Sequence, residues 1–154
     1  MIPPALRTIG YEATIFGHVR DTLLASGVRL LVDVRAVAAS RKPGFSKRQL
    51  AAGLAEAGIG YVHLQPLGTP KAGRDAVRRG DVATMHRLFL DHMTGDRPQS
   101  ALAEAVSLAR TTPACLLCFE RDHRTCHRML VAEMVMAETG QVIEHLQTPE
   151  LFGS

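Results

Sequence analysis

The chain has 154 residues, 46% of them hydrophobic and 21% charged, with a formal net charge of +3 and a pI near 9.0, so one folded domain with its own core is expected. Three cysteines are too few for a secreted disulfide framework, and no apolar run approaches the roughly 20 residues a membrane helix needs. The start from Met1 to Arg7 lacks the apolar core of a signal peptide. The expectation is therefore a cytoplasmic protein with reduced thiols, no membrane association, and a basic surface suited to an anionic small molecule or nucleic acid. A homodimer is compatible with this reading.

In chain order, Leu6 to Gly10 reads as a first strand. Thr14 is the expected cap of a helix running to about Ser26, with Gly27 as its stop. Val28 to Val34 is a nearly continuous apolar strand of the doubly buried kind. It ends in Asp33-Val34-Arg35 and a basic loop, Ser40 to Phe45. Ser46 is an N-cap for a helix through Ala57, ended by Gly58, and Ile59 to Leu64 is a third strand carrying Tyr61 and His63.

Gln65 to Gly80 is expected as a long basic loop. Asp81 caps a helix to about Thr94, and Pro98 opens another to Arg110. Ala114 to Phe119 is a fourth strand, and Glu120 to Thr125 leads into a helix ending near Gly140. Gln141 to Leu146 is a fifth strand, with the last eight residues loosely held. Strands separated by helices predict a mostly parallel five-stranded α/β sheet with helices on both faces, in a single domain spanning residues 1–154 with its core at about 6–146.

In such a sheet ligands bind outside the carboxyl ends of the strands. The connections there carry Arg35, Arg41, Lys42, Lys47 and Arg48 after the second strand. Lys71, Arg74, Arg78 and Arg79 follow the third, and Arg121, Arg124 and Arg128 the fourth. An anion site at this edge is expected, helped by helix N-termini pointing the same way.

Residues two apart on a strand share a face, so Cys118 and Glu120 point together while Cys115 faces away. Cys126 falls near a helix N-terminus beside Arg124, His127 and Arg128, a setting that lowers a thiol pKa. Glu120 is a candidate general base or arginine partner and His127 a proton shuttle. Cys115 reads as a core thiol, Cys118 as either core or site, and Cys126 as functional.

The spacing Cys115-x2-Cys118 resembles half a zinc site that Cys126 or His127 would complete. It lies in an apolar strand without the turn that converges two thiolates, so no metal and no cofactor are expected. A Cys118–Cys126 disulfide stays open. Asp33 is either a ligand group or the partner of Arg35. His63 is either a ligand or a satisfied core histidine, Tyr61 offers a phenol hydroxyl on the same strand face, and His145 ends the fifth strand at the same edge.

Together Gly10-Tyr11, Asp33-Val34-Arg35, Ser40-Arg41 with Gly44-Phe45, Tyr61-x-His63, Leu67-Gly68, Cys118-x-Glu120, Cys126-His127-Arg128 and His145-Leu146 make the chain resemble the domain of unknown function 488 family from about Thr8 to Leu146. It departs from that family at Glu12 and near Ala38 and Thr69. The resemblance implies a compact α/β domain with a shared polar site and assigns no reaction.

Four functions compete. The first is an enzyme acting on a phosphate-bearing, nucleotide or nucleic-acid-derived substrate. It would use Cys118 or Cys126 as nucleophile or redox centre, Glu120 and His127 as acid–base groups, and Arg35, Arg41 and Arg128 as the anion clamp, with Asp33, Tyr61 and His63 as further substrate contacts. A rhodanese-like sulfur transfer is a variant by analogy of fold. A non-catalytic nucleic-acid-binding module fits the basic loops but not the shortage of aromatics. In a purely structural domain, Cys126-His127-Arg128 would tie loop to helix.

Overall fold

The computed structural model describes residues 4–150. Five strands, β1 (Leu6–Gly10), β2 (Leu30–Asp33), β3 (Gly60–His63), β4 (Ala114–Cys118) and β5 (Ile143–His145), form one sheet in the order β3-β2-β4-β1-β5. Every pairing is parallel. Six helices accompany them: α1 (Phe16–Ala25), α2 (Lys47–Glu56), α3 (Lys71–Arg78), α4 (Val82–His92), α5 (Asp96–Thr111) and α6 (His127–Thr139). No described helix is long and apolar enough to cross a membrane.

The strand alternation divides the core into two layers. Ala114, Leu116 and Cys118 of β4 pack with Val32, Val34, Met85 and Phe89 of α4, Ala101 and Ala105 of α5, and Val131 and Val135 of α6. Cys115 and Leu117 face the other way, onto Val19 and Leu23 of α1, Leu50 and Leu54 of α2, and Phe45. Helices thus cover both faces, as parallel strands buried on each side require. β4 is buried along its whole length, and this matches its unbroken apolar sequence.

Several local expectations are corrected. Thr14 does not cap α1; Ile15 holds the cap position, and the Thr14 hydroxyl donates to the Pro149 carbonyl instead. Ser46 sits at the cap of α2 without capping it, because its hydroxyl donates to Ser40 O and accepts from Ser40 N, closing the basic loop. Asp81 caps α4 by accepting from Thr84 N. Helix α5 starts at Asp96, two residues ahead of Pro98, which lies within the first turn where its missing N–H costs nothing.

The supposed loop from Gln65 to Gly80 contains a 3-10 turn at Gln65–Leu67 and α3. Helix α3 is short, basic and lacks a side-chain cap, so no start signal marks it in the sequence, yet Gly73 seats it against Thr69, Met85 and Leu88. Residues 147–150, expected to be loose, are tied down. Arg121 donates to Thr148 Oγ1 and O and lies 3.4 Å from the Glu150 carboxylate. The rest of that segment, residues 151–154, lies outside the described residues.

Candidate functional site

Chain direction in the sheet determines where a cleft can open. The connection from β2 leads outward to β3, and the one from β4 leads the opposite way to β5, so the adjacent carboxyl ends of β2 and β4 form a switch point. A cavity of about 640 Å³ lies there, lined by Tyr11, Glu12, Arg35, Ala36, Val37, Thr69, Arg74, Arg78, Cys118, Phe119, Glu120 and His127, among others. That volume falls within the range of small-molecule sites. Close backbone approaches build it. A Cβ on Gly10 would stand 2.0 Å from Glu120 O, and one on Gly68 would stand 2.2 Å from Ala36 Cα. Only glycine at these points lets the end of β1 and the turn after β3 draw in beside the loops that follow β4 and β2.

Beneath one wall runs a buried polar network. Asp33 and Arg35 are 0% and 3% exposed and pair bidentately, with Arg35 Nε 2.9 Å from Asp33 Oδ1 and Nη2 2.7 Å from Oδ2. Arg35 Nη1 also donates to Tyr11 Oη and Phe45 O. Tyr61 Oη donates to Asp33 Oδ2 at 2.5 Å, and the Tyr11 ring stacks on Phe45 at 4.5 Å. Burial pulls the Arg35 pKa down, but the Asp33 hydrogen bonds and charge outweigh it and the guanidinium stays charged. Burial and the Asp33 bond together push the Tyr61 phenol above its ordinary value. Arg35 thus reaches the cavity wall with its charge already matched. Asp33 and Tyr61, expected as substrate contacts, serve to hold it there. His63 is spent on the Arg35 carbonyl at 2.7 Å.

Arg128, expected in the anion clamp, is wholly buried. It donates to the carbonyls of Glu120 and Arg121 and to Thr8 Oγ1, so it ties the loop after β4 to α6 and lies outside the lining of this cavity. Arg41 is exposed and outside the cavity lining, while Arg121 and Arg124 border a second recess with Asp122 and His123. The guanidiniums facing the main cavity besides Arg35 belong to α3. Arg78 pairs with Asp75; Arg74 donates to Thr69 O and has no carboxylate partner among the described residues. Sequence reasoning placed these two arginines at the anion-binding edge but left them out of the clamp, because the loop reading hid the helix that aims them. Glu12, which accepts from Arg121 N, and Glu120 give the lining its acidic side.

The thiols separate into three environments. Cys115 lies in the opposite core layer, and burial raises its pKa far above the ordinary thiol value. Cys118 ends β4 at the cavity wall, 7% exposed. Cys126 is the N-cap residue of α6 but is 1% exposed and outside the lining. The expected lowering of its pKa by the helix terminus is overturned. Burial first, and then the adjacent Cys118, push it well above the ordinary value, since desolvation of a thiolate exceeds what one helix end returns.

His127 joins this group. Its Nε2 lies 2.8 Å from Val34 O; a carbonyl only accepts, so Nε2 carries the proton and a neutral ring presents its Nδ1 lone pair inward. Cys118 Sγ lies 3.6 Å from that Nδ1, and Phe89 packs against the ring. Burial disfavours an imidazolium, but Cys126, the Val34 carbonyl and the nearby Glu120 outweigh it and raise the His127 pKa. The sulfurs of Cys118 and Cys126 and a His127 ring nitrogen all lie within 4.8 Å of one another.

At the neighbouring strand end, Thr8 Oγ1 accepts from Arg128 Nε and shares a hydrogen bond of 2.6 Å with His145 Nδ1. The His145 ring stacks on His123 at 3.6 Å. Burial, His123 and Arg128 hold the His145 pKa down to about 4. Because the unfolded chain titrates near about 6.5, its stabilisation is complete above that value and is lost as pH falls from there towards 4. Melting temperature should therefore drop across this window, and less steeply in His145→Gln. Parallel slopes for the two proteins would show that the ring is not held neutral.

A family model described as "Domain of unknown function DUF488" matches residues 17–135 of this chain. No curated protein and no solved structure matches it.

Proposed function

The chain belongs to the domain of unknown function 488 family, and from that premise we propose that it is an enzyme acting on an anionic, phosphate-bearing substrate through the Cys118 thiol. The observation that carries this reading is the pairing at the cavity wall: among the three thiols Cys118 alone borders the cavity, with the His127 Nδ1 lone pair 3.6 Å from its sulfur. That is a nucleophile with an adjacent base, and the base is oriented by a third group, the Val34 carbonyl.

In the proposed step the Cys118 proton passes to His127 Nδ1 while the sulfur bonds to the electrophilic centre of the substrate. The leaving group departs with its electron pair and takes the proton back from His127. Glu120 favours the transient imidazolium. Arg74 and Arg78 meet the substrate's negative charge at the cavity mouth, where guanidiniums match phosphate oxygens in pairs. Cys126, fully covered and proton-bound, takes no direct part in this reading.

The test is a turnover screen of nucleotides, sugar phosphates and thiosulfate, comparing the natural protein with Cys118→Ala. Turnover that depends on Cys118 supports the proposal, and a persulfide formed on Cys118 from thiosulfate would make the reaction a sulfur transfer. Salt-sensitive binding of nucleic acid that Cys118→Ala leaves intact, with no turnover of any compound, would favour the non-catalytic module instead.

A further inference from the structure

We infer that Cys118 Sγ, Cys126 Sγ and His127 Nδ1 form a binding site for a thiophilic d10 cation, Zn2+ in first place, with its fourth coordination position open to the cavity. The inference uses two side chains of the proposed reaction but stands without it, because it requires no turnover.

Donor chemistry is the first support. Two sulfurs and an imidazole nitrogen are the soft and borderline donors that select zinc over magnesium or calcium. A zinc–sulfur bond of about 2.3 Å and a zinc–nitrogen bond of about 2.0 Å at the tetrahedral angle separate sulfur and nitrogen by about 3.5 Å. Cys118 Sγ and His127 Nδ1 are 3.6 Å apart, and all three donor atoms lie within 4.8 Å.

The surroundings are the second support. A metal-bound histidine commonly donates its other N–H to a carbonyl, which fixes the ring and its tautomer. His127 does this to Val34 O, with Phe89 against the ring. The three residues come from two rigid elements, the end of β4 and the start of α6. Arg128 clamps the loop between them by donating to Glu120 O and Arg121 O. All three are buried, yet Cys118 and His127 also border the cavity beside Glu120. Three protein donors with one side open describe a site that takes water or an anionic ligand as its fourth partner.

Binding is balanced by proton release: Zn2+ enters, the two thiol protons leave, and the His127 N–H to Val34 is retained. The ion takes the Cys118 lone pair, so the loaded protein is shielded from thiol reagents, and the nucleophilic chemistry belongs to the metal-free form.

The experiment is titration of the reduced, folded protein with Co2+ in the absence of oxygen, read by absorption. One equivalent should produce a thiolate-to-cobalt charge-transfer band with tetrahedral d–d bands, and Zn2+ should abolish both. Cys126→Ser and His127→Gln should each weaken binding at least tenfold, Cys115→Ala should leave it unchanged, and Zn2+ should slow alkylation of Cys118 until a chelator is added. A folded natural protein that gives no charge-transfer band, or a band that survives in the Cys118→Ala/Cys126→Ala double variant, would overturn the site. Since no substrate is present, failure here and failure of the turnover screen are separate results.

Discussion

Arg35→Met should cost about 3–5 kcal/mol of stability, because it leaves the Asp33 carboxylate buried without its cation. Asp33 is fully covered and would keep only the Tyr61 hydroxyl and the backbone N–H of residue 35. For a domain of this size such a loss lowers the melting temperature by roughly 6–20 °C. Met conserves much of the side-chain volume, so the loss reflects the unpaired charge more than a cavity. The double variant Arg35→Met/Asp33→Leu should recover a large part of it, since removing both partners also removes the buried charge. Urea unfolding of the four proteins completes the cycle. A single-variant loss below about 1 kcal/mol would mean that Arg35 is free for a ligand.

Cys118→Ala should reduce turnover of whatever substrate the screen identifies by a factor on the order of 10³ or more, the scale on which removal of a covalent nucleophile is felt. The volume lost is small and Cys118 sits at the rim of the core rather than its centre, so stability should change by only about 1 kcal/mol. His127→Gln should share most of the activity loss, because nucleophile and base act as one unit and their losses do not add. Turnover in Cys118→Ala within a few-fold of the natural protein would remove the thiol from the reaction.

The sheet was readable because β2 and β4 are continuous apolar runs, set off by Gly27 ahead of β2 and Pro113 ahead of β4, and because helices intervene between all strands. The chain also showed that Cys118 and Cys115 face opposite ways, since a strand's period of two leaves no other choice. What it concealed was which arginines are already engaged. Arg35, Arg128 and Arg74 look alike in sequence. Arg35 is locked by Asp33 and Tyr11, and Arg128 is sunk among loop carbonyls. Arg74 is aimed at the cavity by an eight-residue helix that starts after Pro70 without a side-chain cap, so nothing in the sequence marked its start. Those engagements join residues up to 120 positions apart, a distance over which spacing carries no information. The Cys126 setting misled for a related reason: a helix terminus near arginines was visible, and complete burial was not.

Native-state alkylation of the three cysteines, followed residue by residue by mass spectrometry in the reduced, metal-free protein, tests the cavity-facing thiol most directly. Cys118 should be modified first, slowed by added phosphate compounds and by His127→Gln, with Cys115 and Cys126 reacting only as the chain unfolds. Modification of Cys126 or Cys115 at the rate of Cys118, or a Cys118 rate indifferent to His127→Gln, would contradict the account.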